Sequence, residues 1–135
     1  MKVVIAEAPS ADEIEPAFIK LKQQGVPAAI VIIDGMLLNN ARRIGDLGIK
    51  YRIALGSQSQ ALPPAGGLMS YSPDFMDNLV RAASYVDQIF RGAKPADLPV
   101  DRPARIKLIL NKSTAKALGL VIPQSVLLRA DTVLD

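Results

Sequence analysis

Continuous aliphatic runs that alternate with amphipathic helical patterns constrain this chain most. Val3-Val4-Ile5-Ala6, residues 28–33 and Ile53-Ala54-Leu55 are aliphatic without period-two alternation, which suits strands buried on both faces. Two helical patterns lie between them. In the first, Ile14, Ala17, Phe18 and Leu21 share one face. Ser10 and Glu13 match a capping box at its start, and Gly25 stands where a left-handed C-cap is wanted. In the second, Asn39-Asn40 can start a helix whose inner face is Ala41, Ile44, Leu47 and Tyr51. Gly45 and Gly48 weaken it by about 1 kcal/mol each relative to Ala. Strand and helix thus alternate through residue 55, which predicts a parallel sheet with right-handed crossovers.

The stretch from Ala65 to Phe75 interrupts that rhythm. Pro63-Pro64 stiffens the approach to Gly66-Gly67, and a short apolar-hydroxyl run, Leu68-Met69-Ser70-Tyr71, comes next. Ser72-Pro73-Asp74 reads as a helix start, with Ser72 as cap, Pro73 at the first position and Asp74 complementing the dipole. Phe75, Leu79, Ala82, Ala83, Val86, Ile89 and Phe90 then recur at helical spacing, and Gly92 closes the helix. The whole stretch predicts a crossing from one structural unit to another. Residues 94–103 carry Pro95, Pro99 and Pro103 and predict an extended connection. A strand from Ile106 to Leu110, a short helix from Ser113 to Leu118 closed by Gly119, and a helical turn or two from Pro123 to Arg129 complete the chain.

Composition narrows the function. Half of the 135 residues are hydrophobic but only 4% are aromatic, so the core is aliphatic. The net charge of +3 arises from 16 basic and 13 acidic residues mixed along the chain. That is a solvated surface rather than a nucleic-acid footprint, despite a pI near 9.3. There is no Cys and no His. Disulfides, thiolate metal sites and Cys nucleophiles are excluded, and so is the commonest general base. The acidic residues show no metal-ligand spacing, and no phosphate-loop motif is present. No enzyme, cofactor or metal reading has residues behind it. No apolar run is long enough for a membrane helix. The N-terminus is a poor signal peptide because Glu7 and Asp12 interrupt its apolar run, so the chain as written would stay in the cytoplasm.

Two polar positions sit at strand C-terminal ends. Asp34-Gly35 reads as a tight turn, or as a ligand contact of the kind open α/β sheets place there. Ser57-Gln58 succeeds the third strand in the same way.

Two stretches resemble a known family. One is Gly66-Gly67-Leu68-Met69-Ser70-Tyr71, followed by residues 82–87 (AASYVD) and 92–100 (GAKPADLPV). The other is residues 116–120 (KALGL), Ile122-Pro123 and residues 127–131 (LLRAD). Together they resemble the C-terminal part of the ABC-transporter substrate-binding proteins whose better-known members take up aromatic amino acids. The resemblance implies a parallel-sheet, three-layer α/β lobe of a type I periplasmic binding protein, with the first lobe missing. Residues 1–62 would be the βαβαβ unit of the second lobe. Residues 63–103 would be the hinge crossing, a long helix from Pro73 to Arg91 and the return linker. Residues 104–135 would finish the second lobe.

The family usually has Gly after its Ser-Tyr, where this chain has Ser72, and an Arg-Glu-bearing loop where this chain has Ser57-Gln58-Ser59-Gln60-Ala61. The implied biochemistry is non-covalent binding of a small solute, amino acids among the candidates, with an ABC permease as partner and a periplasmic setting. The implied contacts are Ser70, Tyr71, Ser57, Gln58, Asp34, Gly35 and Asp74. Asp74 also reads as a helix-dipole partner, and Tyr71 as a core residue. A second expectation is that the chain is an orphan lobe. Its helix 73–91, lacking its usual sheet, would then drive a homodimer or higher oligomer.

Overall fold

Five strands pair in the same order as they occur in the chain: β1 (Ala28–Val31), β2 (Ala54–Ser57), β3 (Met69–Pro73), β4 (Ile106–Asn111) and β5 (Thr132–Leu134). The computed structural model describes residues 3–100, 102 and 105–135. β1–β2, β2–β3 and β4–β5 are parallel. β3–β4 is antiparallel, with Ser70 opposite Ile109, Ser72 opposite Lys107 and Pro73 opposite Ile106. The sheet is therefore mostly parallel, as the strand–helix alternation predicts, and reverses once. The chain leaves the sheet at the end of β3 and re-enters at that same end.

The helices are α1 (Ile14–Gln23), α2 (Gly35–Asn39), α3 (Ala41–Tyr51), α4 (Phe75–Phe90), α5 (Lys112–Leu118) and α6 (Gln124–Leu127). α1 contributes Ile14, Phe18 and Leu21 to the core, and α3 contributes Ile44 and Leu47. They meet Ile53, Leu55 and Leu62, with Ala29 and Val31 of β1 packed beside them. Phe18 and Tyr51 stack with centroids 6.3 Å apart. The Tyr51 hydroxyl donates to Glu15 Oε1 at 2.9 Å, and Lys50 Nζ to the same oxygen at 2.6 Å. The Lys50 ammonium beside it holds the Glu15 carboxyl below the usual range. Because strand side chains alternate, Ser57 and Ser70 share the helix-covered face with Leu55 and Val31. Ile30, Tyr71 and Ile106 stand on the far face and are exposed.

The helical spacings and the left-handed closures at Gly25, Gly92 and Gly119 hold, with φ of 67°, 99° and 72°. Four local expectations are corrected. Val3-Val4-Ile5-Ala6 is not a strand. It runs beside the core, with Val4 and Ala6 packed inward and Val3 and Ile5 exposed. Its β-branched residues supply propensity but no described strand supplies a ladder. Ser10 does not cap through its side chain. A 3-10 turn, Ala11–Glu13, precedes α1, and the Ser10 hydroxyl donates to Glu13 Oε2 at 2.9 Å instead. Asp34-Gly35 is not a simple turn: Asp34 caps α2, accepting from Leu37 N–H at 2.8 Å. Ser72 and Pro73 do not start α4, because both pair with β4 as the last residues of β3. The cap is Asp74, which accepts from Met76 N–H at 3.2 Å. Asp101 and Pro103 of the expected connection lie outside the described residues.

Candidate functional site: the C-terminal ends of β1, β2 and β3

Neighbouring parallel strands end on the same side of the sheet, so their C-terminal residues gather along one edge. Asp34 and Gly35 come just after β1, Ser57 ends β2 with Gln58 next to it, and Asp74 comes directly after β3. Asp34 and Gly35 are exposed, and the Asp34 carboxylate is engaged as the cap of α2. The Ser57 hydroxyl is buried. It donates to Val31 O at 3.1 Å and accepts from Ser59 N–H at 3.0 Å. The Gln58 amide, in the orientation that satisfies both of its ends, donates to Val31 O and accepts from Ile33 N–H, each at 2.9 Å. Ser57, which is buried, and Gln58, which is exposed, thus tie β2 to the end of β1, and their polar groups are already engaged.

β3 splits the Ser70-Tyr71 pair. Ser70 is 0% exposed and Tyr71 is 61% exposed, on opposite faces of one strand. The hydroxyls of Ser70 and Ser72 are buried without a hydrogen-bond partner among the described residues. The loop after β2 sits close by: Leu62 and Pro63 are fully buried, and Gln60 Nε2 donates to Pro73 O at 3.0 Å.

Asp74 is the most constrained of the predicted residues. It is buried and pairs with Lys107 Nζ at 2.7 Å. The Lys107 hydrogen bond holds its carboxyl below the usual aspartate range, against the opposing effect of desolvation. Sequence reasoning missed Lys107. Its only signal would have been its register opposite Ser72, which depends on a long-range antiparallel pairing. It also missed Asn111, whose side chain donates to Pro63 O at 2.7 Å and accepts from Thr114 N–H at 2.8 Å, pinning the loop before β3 to α5.

The chemistry available here is hydrogen bonding and charge pairing. Among the described residues no group of three or more Asp or Glu side chains could hold a metal, and no helix is long and apolar enough to cross a membrane. Two concavities lie elsewhere. One of about 530 Å³ runs past Glu15, Arg43 and Lys50, and one of about 580 Å³ past Lys116, Val121 and Leu127. None of the seven predicted residues lines either. The strand ends form a polar wall.

The fold is that of one domain of a periplasmic binding protein, built on a mostly parallel five-stranded sheet. The family described as ABC transporter substrate binding protein matches residues 1–134, and the chain belongs to that family. A conserved domain protein from Vibrio cholerae superposes with a TM-score of 0.87 at 23% identity, over 98% of this chain and 45% of that one. An ABC domain from Streptococcus pneumonia, in complex with L-Trp, gives 0.85 at 30% identity, over 99% and 46%. A ligand-free, open substrate-binding protein with adhesive properties from Clostridium difficile gives 0.74 at 17% identity, over 99% and 44%. The chain therefore spans less than half the length of the solved proteins it matches. No curated protein matches it in sequence.

Proposed function

We propose that this chain is the C-terminal lobe of a non-catalytic, small-solute-binding component of an ABC-type uptake transporter, working in the periplasm with a permease. The observation that carries this is the polar wall at the ends of β1, β2 and β3. It presents caps, hydroxyls and a charge pair without any nucleophile–base pairing. Family membership and the L-Trp complex of the Streptococcus relative support a solute such as an amino acid. Residues 1–62 and 104–135 would form the lobe, with 63–103 as the excursion toward a first lobe. Asp34, Gly35, Ser57, Gln58, Ser70, Tyr71 and Asp74 are its candidate contacts. A thermal-shift screen with a panel of amino acids tests this. A solute at about 100 times its dissociation constant stabilises by about 2.7 kcal/mol. A specific stabiliser supports the reading, and silence across the panel with the folded chain removes it.

One observation favours a second reading, self-association as an orphan lobe that no longer binds a transported solute. None of the sixteen residues of α4 is buried, and Phe75, Leu79, Val86 and Phe90 are 66%, 48%, 49% and 85% exposed. Burying one large apolar side chain gains roughly 1.5–3 kcal/mol, so a second copy covering this stripe would be bound firmly. Light scattering at tens of micromolar decides: a dimer or larger supports it, and a clean monomer sinks it.

A further inference from the structure

α4 has no buried residue, so side-chain packing does little to set its direction. Its first turn is tied down instead, where the chain leaves β3. Asp74 N–H donates to Arg105 O at 2.9 Å, continuing the β3–β4 pairing one step past Pro73. The Asp74 carboxylate caps the helix through Met76 N–H at 3.2 Å and pairs with Lys107 Nζ at 2.7 Å. Lys107 belongs to β4, opposite Ser72. One buried carboxylate therefore joins the helix start to the strand on which the chain returns. Farther along, the Tyr85 hydroxyl donates to Pro99 O at 2.8 Å, which ties α4 to its own connection rather than to the sheet.

We propose that Asp74 and Lys107 form a latch that sets the angle at which α4 leaves the sheet. The ladder bond alone fixes where the helix begins, because it involves only backbone. The cap alone fixes the first turn of the helix upon itself. The ion pair is the element that refers the helix to β4. Its leverage is large: sixteen residues at about 1.5 Å each make a rod of about 24 Å, so a tilt of about 10° moves the far end by about 4 Å. A short, charge-assisted contact with one partner buried and the other partly buried is suited to such a task, being directional and poorly replaced by water. The inference rests on the junction itself and holds whether or not the chain binds a solute.

The absence of Cys allows clean spin labelling at Gln23→Cys on α1 and Ser84→Cys on α4, in labelled chain diluted with unlabelled chain. The readout is the interlabel distance distribution. Asp74→Asn keeps a good helix cap and removes the charge, whereas Lys107→Met keeps the cap and removes the partner. Each should broaden the distribution about twofold. The double variant should be no broader than either single one, and Lys107→Arg should restore the wild-type width. Unchanged widths in both single variants, or broadening that simply adds in the double, overturns the latch. If Asp74→Asn fails to fold, a folded Lys107→Met of wild-type width overturns it too.

Discussion

Gly45 of α3 and Gly66 of the β2–β3 loop meet backbone to backbone. A Cβ on Gly66 would lie 3.2 Å from Gly45 Cα, and one on Gly45 would lie 2.9 Å from Gly66 Cα and overlap the carbonyl oxygen of Ala65. Gly66 also has φ of +107°, so neither residue tolerates a side chain. Gly45→Ala should destabilise by about 2 kcal/mol net, because overpacking against backbone, at about 3 kcal/mol, outweighs the roughly 1 kcal/mol gain in helix propensity. Gly35→Ala meets open space and should change stability little. Urea midpoints of the two variants check the contrast, and equal midpoints would remove the close-approach explanation.

Ser70 separates stability from binding. Its hydroxyl is buried without a partner among the described residues, an arrangement that costs roughly 1–3 kcal/mol. Ser70→Ala should therefore be at least as stable as wild type. If the hydroxyl meets a solute, the same variant should lose most of any solute-induced thermal shift. A less stable variant with its shift intact contradicts both statements.

Asp74 gives stability a defined acid limb. Its folded pKa is depressed by Lys107, so its contribution is complete above the unfolded-chain value near 3.8 and is lost as pH falls through the lower folded value. Asp74→Asn should be less stable than wild type at neutral pH. The difference should vanish at the acid end of a series of denaturation curves run down from neutral pH. A gap that stays constant with pH would remove the ion pair from the explanation.

The exposed stripe on α4 predicts surface behaviour. Val86→Lys with Phe90→Lys should abolish self-association in light scattering while changing stability by no more than about 0.5 kcal/mol, since neither side chain is buried. A large stability loss would mean that α4 folds back onto its own sheet.

Helices are the legible part of this fold, and strands only partly so. α1, α3 and α4 announce themselves through 3.6-residue spacing, and α1, α4 and α5 through a closing glycine, which are local signals; α3 ends instead on Arg52, with φ of 57°. β3 reads as a hydroxyl run because Ser70 and Ser72 carry little strand propensity; its ladder with β4 supplies what the residues lack. β5 is three residues long and is recruited by Asp131, whose Oδ2 accepts from Leu108 N–H at 2.8 Å. The opposite failure is Val3-Val4-Ile5-Ala6, with propensity and no strand partner among the described residues. Asp34 and Ser57 stand out because the ends of β1 and β2 are visible in sequence, whereas Asp74 stands out as a helix-start residue. Lys107 does not, since no local pattern tells which residue of a distant strand will face Ser72. Gly66-Gly67 reads as the place where the chain leaves its lobe. In the structure the pair is packed against Gly45 and Leu62, and the chain leaves the sheet one strand later, after Pro73.

That exit makes the excursion severable. Pro73 and Ile106 are direct antiparallel partners, so everything between them is an insertion whose two ends already touch. A two-residue Asn-Gly turn closes such a gap with the twist that antiparallel strands prefer. Replacing residues 74–105 with that turn converts the longest-range connection of the sheet into a simple hairpin. The strands, the core of α1 and α3, and the ends of β1 and β2 would remain in a smaller protein free of the apolar rod.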